Sequence, residues 1–278
     1  MSALSEESAV EALEVELLLE AIHRHHGFDF RDYTRNSIQR RIRNAVQAEG
    51  LACVSELQAN VLHVPQAFER LLGHLSVSVT AMFRDPSFFL ALRESIVPML
   101  RCHPFVRIWH AGCSTGEEVY SLAVVLHEEG LLERSRIYAT DLNDSVLDRA
   151  RAGIFSLDLM QEYTANYLRA GGKAAFSDYY SAGYGGAILK AHLKRNIVFA
   201  QHNLVTDGPF NEFHLVLCRN VLIYFNAHLQ ARVLRLLDRS LRRFGILGLG
   251  RREILAHTVL ENEYDEIDSR ERLYRKRA

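Results

Sequence analysis

Residues 105–141 read FVRIWHAGCSTGEEVYSLAVVLHEEGLLERSRIYATD, and this stretch decides the fold of the chain. Residues 105–109 form an apolar run that is typical of a buried strand. A turn of small residues follows at 111–116, and an apolar helix is predicted over 119–126. A second strand at 136–140 ends on Asp141. The pattern predicts a β-α-β unit whose first turn contains glycine and whose second strand ends in a carboxylate, the arrangement that holds the adenosine half of a nucleotide-like cofactor.

The composition of the 278 residues favours a cytoplasmic globular protein. The apolar share of 48% is ordinary for a folded soluble chain. No apolar run approaches the roughly 20 residues that a membrane-spanning helix needs, so we expect no direct membrane insertion. The N-terminus is acidic and lacks a secretion-signal pattern. The net charge of −1 argues against general nucleic-acid binding, so no nucleic-acid partner is expected.

Neither the cysteines nor the histidines form a metal-binding pattern. His23, His25 and His26 lie close together, but no cysteine or carboxylate set accompanies them, so no metal site is predicted. The cysteines lack CxxC pairing and zinc-type spacing, which favours reduced thiols in a cytoplasmic protein. The four cysteines are Cys53, Cys102, Cys113 and Cys218.

The first 75 residues predict a series of helices. An acidic amphipathic helix runs to about residue 25, and its expected apolar stripe consists of Val10, Leu13, Leu17 and Leu18. A second helix over about 33–50 carries Arg40, Arg41 and Arg43. Its basic surface has two interpretations. It is either a solvated face balanced by the acidic first helix, or a docking surface for an acidic partner helix.

The second half of the chain alternates strands and helices, which indicates a mainly parallel sheet covered by helices. The pattern continues with a strand at 213–218, a helix at 227–243 and a strand at 245–249. Two further strands, at 264–268 and 272–276, lie close together in the sequence and predict a closing antiparallel hairpin. The less regular residues 156–195 predict an insertion with structure of its own. Within or beside it, residues 188–193 and 196–200 are expected to pair as strands.

Three cofactor or catalytic sites compete for the turn at Gly112. A dinucleotide site requires GxGxxG, but this turn has glycine only at 112 and 116. Residues 112–116 formally match GxSxG of serine hydrolases, yet the strands that precede such a nucleophile are missing, because the first hundred residues read as helices.

The third possibility is S-adenosylmethionine (SAM), which has no pyrophosphate and therefore needs no third glycine. The small-residue turn would let the backbone approach the methionine part of the cofactor, because glycine lacks a Cβ. Asp141 would accept hydrogen bonds from both ribose hydroxyls. The alternative for Asp141 is a helix N-cap ahead of Asn143 and Asp144.

Several motifs in the chain resemble those of the chemotaxis receptor methyltransferases, the CheR family. They are AGCSTGEEVYSLA (111–123), ATDLN (139–143), QHNLV (201–205), CRNVLIYF (218–225), VTAMFRD (79–85) and RLYRK (272–276). The resemblance implies an α/β fold: a Rossmann-like SAM-dependent methyltransferase sheet with a closing antiparallel hairpin. It adds an N-terminal all-helical domain (1–77), a linker contributing to the cofactor site (78–95), and a methyltransferase domain (96–278) with a small β-subdomain insertion near 156–195.

The resemblance also implies an activity, a cofactor and a partner. The family transfers a methyl group from SAM to glutamate side chains on the cytoplasmic helical bundle of chemoreceptors, which yields glutamyl methyl esters and S-adenosylhomocysteine. In some members the β-subdomain binds a pentapeptide at the receptor C-terminus. Two departures, Ser78 in place of asparagine and Arg251-Arg252 in place of His-Ser, motivate an alternative function as a SAM-binding signalling module with little turnover.

Site residues follow from the resemblance position by position. Arg84 and Tyr224 would border the methyl group and the incoming glutamate; without the resemblance, an ion pair for Arg84 with Asp85 or a neighbouring acid, and simple packing for Tyr224, would be preferred. Arg40, Arg41 and Arg43 resemble the receptor-docking helix. The expected cofactor contacts are Ser78, Thr80, Arg84, Gly112, Glu118, Asp141, Asn203, Leu204, Arg219 and Asn220.

Overall fold

The computed structural model describes residues 3–76, 80–183 and 185–278, with side chains from residue 9 onward. Ser78 lies outside the described residues, as does the expected boundary between 77 and 78. The chain divides into two units. The first comprises Met1–Val77 and Ile223–Arg232, and the second comprises Ser78–Leu222 and Val233–Ala278.

The first unit is helical. Its helices are α1 (Ala3–His26), α2 (Arg35–Ala48), α3 (Val54–His63) and α4 (Ala67–Leu75). α1 packs against α3, and α2 packs against α4. None of the described helices of the protein is long and apolar enough to cross a membrane.

The apolar stripe expected on α1 is largely wrong. Val10, Leu13 and Leu17 are 51–59% exposed, and of the four predicted residues only Leu18 is buried. The buried stripe consists of Val15, Leu18, Leu19 and Ile22, which has the i, i+3, i+4, i+7 spacing of a helix face. α1 carries two apolar stripes of helical spacing, and sequence periodicity alone does not show which of them meets α3.

The second unit contains the remaining elements in chain order. They are α5 (Pro86–Ala91), a π-helical turn (Leu92–Ile96), α6 (Val97–Arg101), β1 (Val106–Ala111), α7 (Glu117–Glu128), β2 (Ser135–Asp141), α8 (Asp144–Ala152), β3 (Ile154–Phe155), α9 (Met160–Arg169), β4 (Tyr180–Gly183), β5 (Gly186–Leu189), α10 (Ala191–Lys194), β6 (Ile197–Gln201), β7 (Phe213–Cys218), α11 (Ala227–Ser240), which begins in the first unit, β8 (Leu241–Leu249), β9 (Tyr264–Asp268) and β10 (Leu273–Lys276).

The large sheet has the strand order β6-β2-β1-β7-β8-β10-β9. Strands β6, β2, β1, β7 and β8 are parallel, whereas β10 is antiparallel to both β8 and β9. All six residues of β7 are buried, as expected for a central strand covered on both faces. The predicted fold, a mainly parallel sheet with a closing antiparallel hairpin, is confirmed.

A separate three-stranded antiparallel sheet has the order β3-β5-β4. The expected pairing of residues 188–193 with 196–200 is wrong. β5 pairs with β3 and β4, and the residues after it form α10, whereas β6 pairs with β2 in the large sheet. Both segments are short and apolar, and such a pattern identifies a strand without identifying its partner.

The helix predicted over 227–243 ends earlier, at Ser240, and β8 begins at Leu241. Leu241 lies opposite Phe213, and the strand register then shifts so that Ile246 lies opposite Leu215. The irregularity includes Phe244, which has a positive φ of 61°. Tertiary pairing with β7 therefore ends the helix before its own apolar periodicity does.

Glu128, at the end of α7, joins this helix to the segment after α9. Its carboxylate accepts hydrogen bonds from the Tyr179 hydroxyl (2.8 Å) and the Lys173 backbone N–H (2.9 Å), and from Tyr167 and Arg93. Burial by itself would raise the pKa of Glu128, but these donors outweigh burial and hold the pKa below its usual value. Ionised Glu128 therefore stabilises the folded state more than protonated Glu128 does.

We expect Glu128→Gln to lower the free energy of unfolding by about 2–4 kcal/mol near pH 7, because a buried charge network loses its centre. Since the folded-state pKa is depressed, this contribution is complete above the unfolded-state pKa and is lost as the pH falls through the folded-state value. Urea unfolding should show that the gap between wild type and variant narrows in acid. Exposed Glu162→Gln is the matched control, and a gap independent of pH would contradict the assignment.

Candidate functional site

The turn after β1 requires glycine at position 112. Gly112 has φ of 73°, and a Cβ there would lie 2.5 Å from a methyl group of Val221. Its backbone N–H and that of Cys113 both donate to the Thr140 carbonyl oxygen, at 2.8 and 2.9 Å. The turn is thereby fixed to the end of β2, and its backbone is open to close approach because position 112 has no side chain.

Asp141, the last residue of β2, is held by this turn. One carboxylate oxygen accepts from the Ser114 N–H (2.8 Å) and the other from the Asn143 N–H (3.1 Å). Burial raises the pKa of Asp141, although these backbone donors oppose the rise. The Leu142 N–H is a third backbone donor to this carboxylate, and an ionised carboxylate accepts about four hydrogen bonds. The alternative N-cap role is wrong, because Asn143 caps α8 by accepting from the Ser145 N–H (2.9 Å).

Asn203 and Leu204 lie in the loop that follows β6. Gln201 of β6 is opposite Asp141 of β2 in the parallel pairing, so this loop leaves the sheet beside Asp141. The Asn203 side chain accepts from the Val205 N–H (2.9 Å), which holds the loop in a local turn. Both Asn203 and Leu204 are half-buried.

Glu118, Arg219 and His110 form a buried charged group beside the turn. Arg219 donates to Glu118 at 2.5 Å, and the His110 Nε2 lies 3.1 Å from the other oxygen of Glu118. Burial by itself would raise the pKa of Glu118, but Arg219 and His110 outweigh it and hold the pKa below its usual value. Arg84 also acts in this direction, so its charge lies within electrostatic reach of Glu118.

The second branch of the Arg219 guanidinium donates to Asp85 at 2.8 Å, and its plane lies over the Phe88 ring, 3.8 Å from the centroid. Asp85 is also 3.9 Å from Arg251, which forms an ion pair with Glu271 at 2.8 Å. The unusual Arg251 is therefore part of the charge network that surrounds Arg219.

Glu253 is a site residue that sequence reasoning missed. Its carboxylate accepts from the Asn220 N–H (3.0 Å) and the Gly250 N–H (2.6 Å), and it is 4% exposed. These bonds hold Asn220 with φ of 61°, directly after Arg219. The available signal was a lone glutamate between two arginines and an apolar pair in RREIL, which by itself does not point to a buried acceptor.

Left-handed backbone is concentrated in these segments. Of the seven non-glycine residues with positive φ among the described residues, four are Phe83, Asp85, Ser114 and Asn220. Each such position costs on the order of 1–3 kcal/mol and persists only where the surroundings enforce it. Backbone strain of this kind clusters at ligand-binding sites.

Three buried polar atoms in this region have no hydrogen-bond partner within the described part of the chain. They are His110 Nδ1, Ser114 Oγ and Arg219 Nε. A buried polar atom without a partner costs about 1–3 kcal/mol, so these atoms leave hydrogen-bonding capacity beside the turn that a polar ligand could use. Together with the Gly112 turn and Asp141, they fit the ribose and the amino-acid part of SAM.

The remaining expected residues divide between the two units. Thr80 is half-buried in the segment before α5. Tyr224 lies in the helical unit, where the Arg41 guanidinium is 4.5 Å from its ring centroid and its carbonyl accepts from the Thr34 N–H (2.8 Å). Arg41 also donates to the Leu75 carbonyl.

The three arginines of α2 have different environments. Arg41 is only 7% exposed, and burial lowers its pKa, so it does not belong to the outer basic surface as expected. Arg40 is exposed, and Arg43 is exposed while bound to Glu11 at 2.9 Å. No group of three or more metal-ligating side chains is found among the described residues.

The mainly parallel sheet and the family matches together place the chain in the class of SAM-binding methyltransferases. Two family models match the chain: "CheR methyltransferase, SAM binding domain" over residues 78–271, and "CheR methyltransferase, all-alpha domain" over 13–76. The protein therefore belongs to the CheR methyltransferase family, and SAM is its cofactor.

Relatives span nearly the same length. The chain is 49% identical over 264 residues to the methyltransferase Cher3 of Pseudomonas putida, covering 95% of this chain and 97% of that one. It is 30% identical to a chemotaxis protein methyltransferase of Listeria innocua, covering 81% and 83%. It is 29% identical to a chemotaxis protein methyltransferase of Salmonella typhimurium, covering 88% and 84%.

Proposed function

We propose that the protein is a protein-glutamate O-methyltransferase that transfers the methyl group of SAM to glutamates of chemoreceptor cytoplasmic domains, for chemotactic adaptation. The observation that carries the proposal is the buried Glu118–Arg219–Asp85 network beside Asp141 and the Gly112 turn, in a chain of the CheR family. The reaction would take place in the cytoplasm, in keeping with four free cysteines.

Cofactor binding is assigned to the carboxyl edge of the large sheet. Asp141 would accept the ribose hydroxyls, Asn203 and Leu204 would border the adenine, and Gly112 would allow the methionine part to approach. Glu118 would attract the ammonium group of the methionine part of SAM. Arg219 and Asn220 would contact the cofactor from the same side as Glu118. Thr80 and Arg84 would contribute from the segment 78–95, together with Ser78.

Methyl transfer requires no general base on the protein. Bound SAM supplies a methyl group that is electrophilic because it is attached to a sulfonium. A glutamate side chain, with a pKa near about 4.3, is already ionised at neutral pH. The protein must therefore align the carboxylate, exclude water and avoid binding the carboxylate too tightly in the ground state. The positive charge of Arg84 is suited to aligning the substrate carboxylate. The same role is proposed for Tyr224 from the family resemblance.

Receptor docking is assigned to the outer face of α2. Arg40 and Arg43 are exposed there and would be attracted to acidic side chains of the receptor helices. Arg41 would act indirectly by holding Tyr224. The small sheet, whose edge strand β4 is mostly exposed, is a candidate site for the receptor C-terminal pentapeptide by strand addition.

A second candidate function is a SAM-binding signalling module with little turnover. It is favoured by Arg251, which departs from the family pattern and adds a positive charge 3.9 Å from Asp85. The two functions differ in whether a methyl ester appears on the receptor.

We expect labelled methyl groups to move from SAM to a receptor cytoplasmic fragment and to be released by mild base, as glutamyl esters are. Arg84→Ala should lower kcat more than it lowers SAM affinity, because its role is alignment. A receptor fragment with glutamine at the methylated positions is the matched control. SAM binding without base-labile label would favour the signalling module instead.

For cofactor binding, Asp141→Asn should weaken SAM binding more than tenfold by calorimetry. The amide retains one acceptor for the Ser114 N–H but loses the charged acceptor for ribose, and a charge-assisted hydrogen bond contributes about 1.5–3 kcal/mol. Asp178→Asn at an exposed position should bind SAM like the wild type. Unchanged affinity in Asp141→Asn would remove the ribose assignment.

For docking, the double variant Arg40→Ala with Arg43→Ala should raise the apparent KM for the receptor several-fold and leave SAM affinity unchanged. Steady-state kinetics with varied receptor and calorimetry with SAM measure the two effects. Arg24→Ala, a substitution of an exposed arginine on α1, is the control. A loss of SAM affinity in the double variant would contradict the docking role.

A further inference from the structure

A cavity lies at the opposite edge of the large sheet from Asp141. Strands β1, β7 and β8 are parallel, so their amino ends share one edge, and a strand of six residues places that edge roughly 20 Å from the carboxyl edge. The cavity has a volume of about 280 Å³. We call it the basic cavity, and its polar and aromatic lining consists of His103, His214, Arg242, Arg243, Phe244 and Arg275.

Positive charge in the basic cavity is not balanced by its lining. None of the ten residues that line it is aspartate or glutamate. Asp265 of β9 lies opposite Arg275 in the strand pairing, but its carboxylate is bound by Arg277 at 2.8 Å. The excess of positive charge also affects His214. Burial, followed by the neighbouring His103 and Arg242, lowers the pKa of His214 to about 4.

The His214 ring faces more donors than it can satisfy. Its Nδ1 lies 3.0 Å from the Arg107 backbone N–H, and its Nε2 lies 2.8 Å from the Arg242 guanidinium. An imidazole offers at most one acceptor nitrogen, and none when protonated. With Nδ1 accepting from Arg107, the proton of the neutral ring is on Nε2, so two donors face each other across 2.8 Å. An acceptor that lies to one side of this pair, within hydrogen-bond distance of both nitrogens, would satisfy both donors.

Phe244 adds an aromatic surface at the same cavity. It is 54% exposed and has φ of 61°, a conformation that an aromatic residue adopts only when its surroundings enforce it. The Arg275 guanidinium lies 5.1 Å from its ring centroid. An exposed aromatic ring beside arginines is suited to stacking with a planar base.

We propose that the basic cavity binds a phosphate-bearing anion that also carries a planar base, that is, a nucleoside monophosphate or a molecule containing one. The phosphate oxygens would accept from Arg242, from Arg243 and from His214 Nε2–H, and the base would stack on Phe244. Arginine is the residue best matched to phosphate geometry, because its planar fork donates two parallel hydrogen bonds. This site is separate from the SAM site and does not depend on the identity of the methyl acceptor.

The test is calorimetric titration of the full chain, saturated with S-adenosylhomocysteine so that the cofactor site is filled, at constant ionic strength. The probes are GMP, inorganic phosphate and guanosine. We expect GMP to bind more tightly than phosphate, and guanosine not to bind. Arg242→Ala and Arg243→Ala should each weaken GMP at least about tenfold, as loss of a charge-assisted hydrogen bond predicts.

Phe244→Ala should weaken GMP while leaving inorganic phosphate unchanged, which separates stacking from charge. Exposed Arg195→Ala is the matched control and should bind both probes like the wild type. Arg243 is exposed, so its variant should keep the melting temperature of the wild type and remain informative. Absence of GMP binding, or GMP binding unaffected by both arginine substitutions, would overturn the site. Equal binding of GMP and phosphate would overturn the base-stacking part.

Discussion

The buried guanidinium of Arg219 is the interaction on which the site depends. Its side chain is 1% exposed, and it donates to Glu118 of α7 and to Asp85 at the start of α5 while lying over Phe88. An unpaired buried charge costs several kcal/mol, so each of these partners must be in place when the others are. The ends of three elements are thereby held at one point: β7, which leads into Arg219, α7, which carries Glu118, and the segment that leads into α5. This one charge pattern therefore sets the geometry of one side of the proposed cofactor site.

Strained backbone marks the same region for a related reason. Phe83, Asp85, Ser114 and Asn220 all have positive φ, and each is held by a specific bond or by its surroundings. Asn220 is held by Glu253, and Ser114 is held by Asp141. Backbone that is held by such bonds in the absence of a ligand lowers the ordering cost of binding one. Phe244, at the other edge of the sheet, shows the same feature beside the basic cavity.

Much of the fold could be predicted from the sequence, because strands and buried helices have distinct apolar patterns. Residues 213–218 and 264–268 were placed as strands with the observed bounds. Predictions failed where two surfaces have the same pattern. Val10, Leu13 and Leu17 repeat at helical spacing but face outward, and Arg41 turns inward although its neighbours Arg40 and Arg43 are exposed. The pairing partners of the strands could not be predicted either, because no feature of the β6 sequence indicates that it pairs with β2.

The sequence by itself determined the β-α-β unit, its small-residue turn with Gly112 and the carboxylate of Asp141 at the end of the second strand, because these depend on residue type and on periodicity within one segment. Only the tertiary structure decided which charges meet. Arg219 is 101 residues from Glu118 and 134 residues from Asp85. Glu253 reaches Asn220 across 33 residues, and His214 meets Arg242 across 28. The physical reason is that a charged side chain looks the same in a sequence whether it is solvated or buried, and its partner is chosen by the packing of the whole sheet.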